Sequence, residues 1–202
     1  MNKVMGTVAA VAGIILLFAA VGLFLWNEEE NRRAGQRAQE VLDELQQIVG
    51  QLEQDAMEQE PMQQDETTEE ETLGIELDGE EYIGYLCIPK LELQLPVMSD
   101  WSYAKLKSTP CRQFGSAGTD DLVIAGHNYQ KHFAGLASLD TGDAVSFHDM
   151  SGTAHMYLVE AVRVVDPSAV DQVQNSGCAL VLYTCTYGGG ARIAVFCQRA
   201  VQ

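Results

Sequence analysis

The chain has 202 residues, room for one ordinary domain plus appendages, and a formal net charge of −17. The charge is concentrated: residues 27–81 hold 19 of the 29 acids and 3 of the 12 bases, a balance of −16, while the rest, with 10 acids and 9 bases, stands at −1. The part able to fold around a core is therefore nearly neutral and has no basic footprint for nucleic acid, and the five cysteines form no C-x-x-C pair, which argues against a zinc knuckle or a thioredoxin-like site.

Residues 4–26, VMGTVAAVAGIILLFAAVGLFLW, form an uncharged apolar run of 23, long enough to span a bilayer core with some tilt. A cleaved signal peptide would carry a shorter run and a small-x-small site. This one leads straight into NEEENRR, so residues 1–26 are predicted to be a retained transmembrane anchor. Lys3 precedes the span, and Arg32, Arg33 and Arg37 follow it. That count by itself favours keeping the following residues on the inner side.

Residues 27–72 are predicted to be an acidic stalk, partly helical. Leu42, Leu45, Ile48, Val49 and Leu52 recur at three- and four-residue spacing, as on a solvated stalk helix or in a short coiled-coil dimer. EQEPMQQDETTEEET, residues 58–72, has almost no apolar content and cannot repay the entropy of ordering; a flexible tether is expected.

From residue 73 to 202 the pattern turns to β. YIGYLCIPKLELQLPV (82–97) gives a short β-rich run and then the alternation LELQL, punctuated by Pro89 and Pro96. DLVIAGHN (121–128) is an apolar strand that ends in Gly and a polar pair. Residues 143–165 read as a hairpin turning at DMSG, and ALVLYTC and RIAVFCQRA are the last two strands. Helical candidates are short: Tyr103–Leu106 and a segment near His132–Leu139. Short strands at regular intervals predict a mostly-β sandwich or small barrel.

Cys185 ends one apolar run and Arg192 begins the next. If these runs pair as antiparallel neighbours, the six residues between them form the loop and bring thiol and guanidinium together. A thiol is a nucleophile only as thiolate, so it needs a nearby cation and solvent access. Arginine supplies the cation, or donates to an oxyanion developing on an attacked carbonyl. His127, also following an apolar strand, could carry the proton at the same rim. Cys87, between Leu86 and Ile88, and Cys197, in the last strand, read as packing. Cys178 could approach Cys197 closely enough for a disulfide. His148 and His155, around the hairpin, are expected to be exposed, and His132 has no matching context.

These segments carry a resemblance. LVLYTC followed by an arginine that opens the final strand resembles the signature strand of the sortase family, IAGHN resembles the segment that supplies its histidine, and YIGYLCIPKLELQLPV resembles its first strand pair. The similarity covers about residues 80–200. GHN and TCTY look closer to class B-like or class D-like sortases than to the housekeeping type, and no DPW or DPF lid motif precedes the domain. Tyr183 stands where a small polar residue is usual.

The resemblance implies a closed sortase-like β-barrel of about eight strands with short helices, preceded by the anchor and tether. It implies a cysteine transpeptidase in which Cys185 attacks, His127 moves the proton and Arg192 steadies the oxyanion; Asn128, Thr184 and Tyr187, which adjoin these positions, are expected either to line the groove or to hold a turn. No cofactor or metal is required. The implied partners are a secreted protein bearing a C-terminal sorting motif and an amine acceptor, either a cell-wall precursor or a pilin-like protein. The implied location is the cell membrane, single-pass, with the domain extracellular, against the charge count above. The rival readings are a cysteine peptidase with the same site and a non-catalytic peptide-binding β-domain.

Overall fold

A computed structural model describes residues 2–58 and 73–200; the expected tether lies, from residue 59 on, outside them. The chain begins with one long helix, α1 (Asn2–Glu58), and divides after Arg33 into two units. In the first unit the described large apolar side chains from Val8 to Trp26 are exposed, on a helix long and apolar enough to cross a membrane.

In the second unit nine strands follow: β1 (Ile75–Leu77), β2 (Glu80–Ile88), β3 (Leu93–Met98), β4 (Cys111–Phe114), β5 (Leu122–Ala125), β6 (Ala144–Asp149), β7 (Ala154–Val165), β8 (Leu180–Cys185) and β9 (Arg192–Arg199), with a short helix α2 (Val170–Gln174) between β7 and β8. The spatial order is β1-β2-β3-β4-β5-β8-β9-β7-β6, and a second pairing of β2 with β6 closes β2 to β9 into an eight-stranded barrel. Closure is tight at Gly84, where any Cβ would lie 2.2 Å from the His148 carbonyl oxygen.

The expected elements are present with local changes. LELQL does not form one strand: Pro89–Leu91 make a 3-10 turn, Glu92 sits in the left-handed region at φ 49°, and β3 starts after it. The hairpin turns at DMSG, where Asp149 accepts from the backbone N–H of Ser151 and of Thr153. The two helical candidates are 3-10 turns at Lys105–Lys107 and Ala134–Ser138.

Burial follows the strand alternation. Along β7 every second residue from His155 to Val159 points inward. β5 is different: all four residues are buried. It runs parallel to β8 and is covered on both faces, which is why its sequence is a continuous apolar run. Leu122 and Ile124 belong to the barrel core with Leu86, Phe147 and Val195, whereas Val123 packs outside with Val165, Val173 and Val181.

Four readings are corrected here. The apolar stripe on α1 is neither solvated nor open to a coiled-coil partner. Leu42, Leu45 and Val49 are buried within the second unit, and Leu45 and Val49 share a cluster with Tyr82, Met98 and Cys111. Cys87 faces away from Leu86 and Ile88, is half-buried, and has the Gln94 amide against its sulfur. His155 is buried, donating from Nε2 to the Asp149 carboxylate and facing Arg199, while His148 is half-buried and stacks on Tyr85. All five cysteines are free, Cys178 and Cys197 included.

His132 is 1% exposed, with the backbone of Ala34 beside its ring. Burial pushes its pKa down from 6.5 to about 4. The folded chain thus takes this proton later than the unfolded chain does. Stability is full above pH 6.5, declines as pH falls from 6.5 toward 4, and levels below that, a loss of roughly 3 kcal/mol. Urea unfolding midpoints measured across this range should show the decline, and His132→Leu should flatten it.

Candidate active site

Alternation along β8 sends Leu180 and Leu182 into the barrel core and Val181 to the outer cluster against which Tyr183 packs. Cys185, two residues on from Tyr183, therefore falls on the same outer face at the strand's end. Its register partner on β9 is Arg192, so the thiol and the guanidinium do stand opposite each other across an antiparallel pair.

The loop between them explains its glycines. Thr186 N–H donates to Ala191 O at 2.9 Å, and Gly189 N–H to Thr186 O at 2.8 Å. The turn needs left-handed backbone at Gly188 (φ 83°) and Gly189 (φ 76°). Arg192 Nη1 donates to the carbonyls of Gly189 and Ala191, at 3.2 and 3.1 Å, which fixes the guanidinium at the rim.

His127 reaches the same rim by parallel pairing. Ala125 on β5 is in register with Tyr183 on β8, and Gly126 N–H donates to Tyr183 O at 3.0 Å. His127 lies two residues beyond Ala125, just as Cys185 lies two beyond Tyr183. The three strand ends that carry the three residues are thus neighbours in one sheet. Gly126 is required, because a Cβ there would sit 2.3 Å from the Phe133 ring.

A cleft of about 230 Å³ opens at this rim. Cys185, Arg192, Thr184 and Gly126 line it; Trp101 and Tyr103 from the β3–β4 connection and Val170 and Val173 of α2 form apolar walls. Thr184 Oγ1 and Trp101 Nε1 are buried with no hydrogen-bond partner among the described residues, a cost that a bound polar chain would relieve. Tyr183 is held by its hydroxyl, which donates to Gln113 Oε1; burial raises it to about 12 and keeps it neutral.

Of the residues read as groove-lining, Thr184 lines the cleft. Tyr187 is fully exposed on the glycine loop, and Asn128 lies half-buried on the loop after His127; neither is at the cleft wall. Sequence reasoning missed Trp101, Tyr103 and α2. The aromatic pair in the loop segment SDWSYAKL was the available signal for the first two. The remaining thiols are poor rivals to Cys185. Burial drives Cys111 and Cys197 up to about 12, and Cys178 is also raised, chiefly by burial.

Comparison with known proteins agrees with this fold. The model of the sortase domain matches residues 86–200, more than half of the chain. A curated relative, sortase A of Bacillus anthracis, is 30% identical over 115 residues, which are 54% of each protein; the chain thus spans about half the length of that relative. Sortase C1 of Streptococcus agalactiae superposes with a TM-score of 0.54 at 26% identity, covering 63% of this chain and 72% of that one. Sortase C of Clostridium perfringens, solved with the C-terminal cell wall sorting motif, gives 0.54 at 21% identity, covering 81% and 91%, a likeness of fold. These relatives carry class A and class C names, so they lend no support to a class B or class D subtype. With a closed eight-stranded barrel and a family match over its length, the chain belongs to the sortase family, whose members are cysteine transpeptidases.

Proposed function

We propose that this chain is a membrane-anchored transpeptidase that works through Cys185, His127 and Arg192. The Cys185 thiolate attacks the carbonyl of a residue inside a C-terminal sorting motif of a secreted protein. Arg192 donates to the oxyanion that develops. As the C–N bond breaks, the imidazolium of His127 gives its proton to the departing amine, leaving an acyl-thioester. An incoming amine, on a cell-wall precursor or a pilin-like protein, then attacks the thioester and yields its proton to His127. The peptide bond forms, the C–S bond breaks and the thiolate returns. The observation that carries this reading is the Cys185–Arg192 register pair at the rim where β5 delivers His127.

The apolar walls suit an aliphatic side chain of the motif, and the unpartnered Thr184 hydroxyl suits its backbone. The Clostridium perfringens relative was solved with such a motif, which supports the same substrate class here. The exposed apolar segment of α1 supports a single-pass anchor; the barrel's place outside the cell follows from the secreted substrate in this reading, against the charge count of the flanks.

Adding a nucleophilic amine to the full chain and a panel of candidate sorting peptides tests the reaction class. Ligated product that rises with amine concentration, at the expense of hydrolysis, is expected. Hydrolysis indifferent to amine would instead indicate a cysteine peptidase.

A further inference from the structure

The loop after β5 does more than deliver His127. His132 N–H and Ala134 N–H both donate to Tyr129 O, at 3.0 and 3.1 Å, and Phe133 N–H donates to His127 O at 3.2 Å. This winding folds Tyr129 back against the residue two before it. The Tyr129 and His127 rings lie parallel, with centroids 4.0 Å apart and planes 4° apart. Tyr129 is 7% exposed and is backed by the His132 ring at 5.5 Å, itself buried. The phenol ring therefore has little freedom, and the imidazole rests on a fixed surface.

That surface has a sign. The face of an aromatic ring is electron-rich and attracts a cation stacked on it. His132 is the titratable group beside this pair in the same loop, and the strand ends next to that of β5 carry the Cys185 thiol (β8) and the Arg192 guanidinium (β9). The Arg192 guanidinium disfavours a second positive charge nearby, and the Tyr129 face offsets this. The geometry points to Tyr129 as a positioning residue of the transpeptidation. Its ring holds the His127 imidazole in one plane and favours the imidazolium that protonates the departing amine. This rests on the reading of His127 as the proton carrier.

The test uses the full chain in lipid nanodiscs, labelled with ¹³C-histidine. There are four histidines, so the His127 resonance is identified by its loss in His127→Gln. Its titration midpoint is compared in wild type, Tyr129→Leu and Tyr129→Phe, alongside kcat and KM for peptide transfer. Tyr129→Leu keeps apolar bulk and removes the ring. It should lower the midpoint by about half a pH unit and cut kcat about tenfold with KM within about twofold. Tyr129→Phe should restore both. A midpoint unmoved in Tyr129→Leu, or a Phe variant as impaired as the Leu variant, would overturn the proposal. Transfer that survives His127→Gln would instead remove the catalytic reading of His127, and the midpoint would still judge the stack by itself.

Discussion

Replacing Cys185 with alanine is expected to reduce peptide transfer by the full chain by at least about 10³-fold, without a change in folding. The cleft would keep Arg192 and its apolar walls, so peptide binding should persist. What disappears is the atom that forms the covalent intermediate. No other thiol can stand in: Cys111 and Cys197 are buried and held protonated, Cys178 lies beside Glu160 and Gln198, and Cys87 lies on β2 beside Gln94. Binding measured by fluorescence anisotropy, set against product formation by chromatography, separates the two effects. Loss of transfer with retained binding is the expected pair of results. Transfer retained in the alanine variant would favour a peptide-binding domain.

The second large effect concerns stability. Leu45 is 0% exposed and packs in the cluster of Tyr82, Met98, Cys111 and Ala125. Leu45→Ala should cost about 2–5 kcal/mol, which lowers the melting temperature by on the order of 10 °C. Gln47 is exposed on the same helix, and Gln47→Ala should stay within about 0.5 kcal/mol. A chain shortened to begin at Leu73 would lose Leu42, Leu45 and Val49 together and bare the cluster beneath them. Calorimetry of the three proteins checks the ranking. Equal stability of Leu45→Ala and Gln47→Ala would restore the solvated-stalk reading.

The pairing of Cys185 with Arg192 was legible because strand periodicity is strict. An apolar run that ends in Cys185, six residues and a run that begins with Arg192 leave few ways to pair other than the one found. The barrel was legible for a similar reason: short alternating runs with turn residues between them. The stripe on α1 was visible, but a stripe at helical spacing records only that something covers it, not what; the barrel does. Cys87 was misjudged because apolar neighbours on either side place a strand residue on the opposite face, not in their company. His155 was misjudged because a turn was taken for solvent exposure, although Asp149 and Arg199 satisfy the ring inside. The Tyr129 stack was invisible because residues two apart meet only when a specific turn brings them together. The five-residue α2 carries too short a pattern to register, yet it supplies a wall of the cleft.

The central claim is that the sulfur of Cys185 receives the acyl group at a rim it shares with His127 and Arg192. Intact-mass and tandem mass spectrometry of the full chain, mixed with candidate sorting peptides and no amine, tests it most directly. A single acyl adduct located on Cys185, discharged when amine is added, is the result expected. An adduct on any of the other four cysteines, or peptide cleavage that proceeds with Cys185 alkylated, would contradict it.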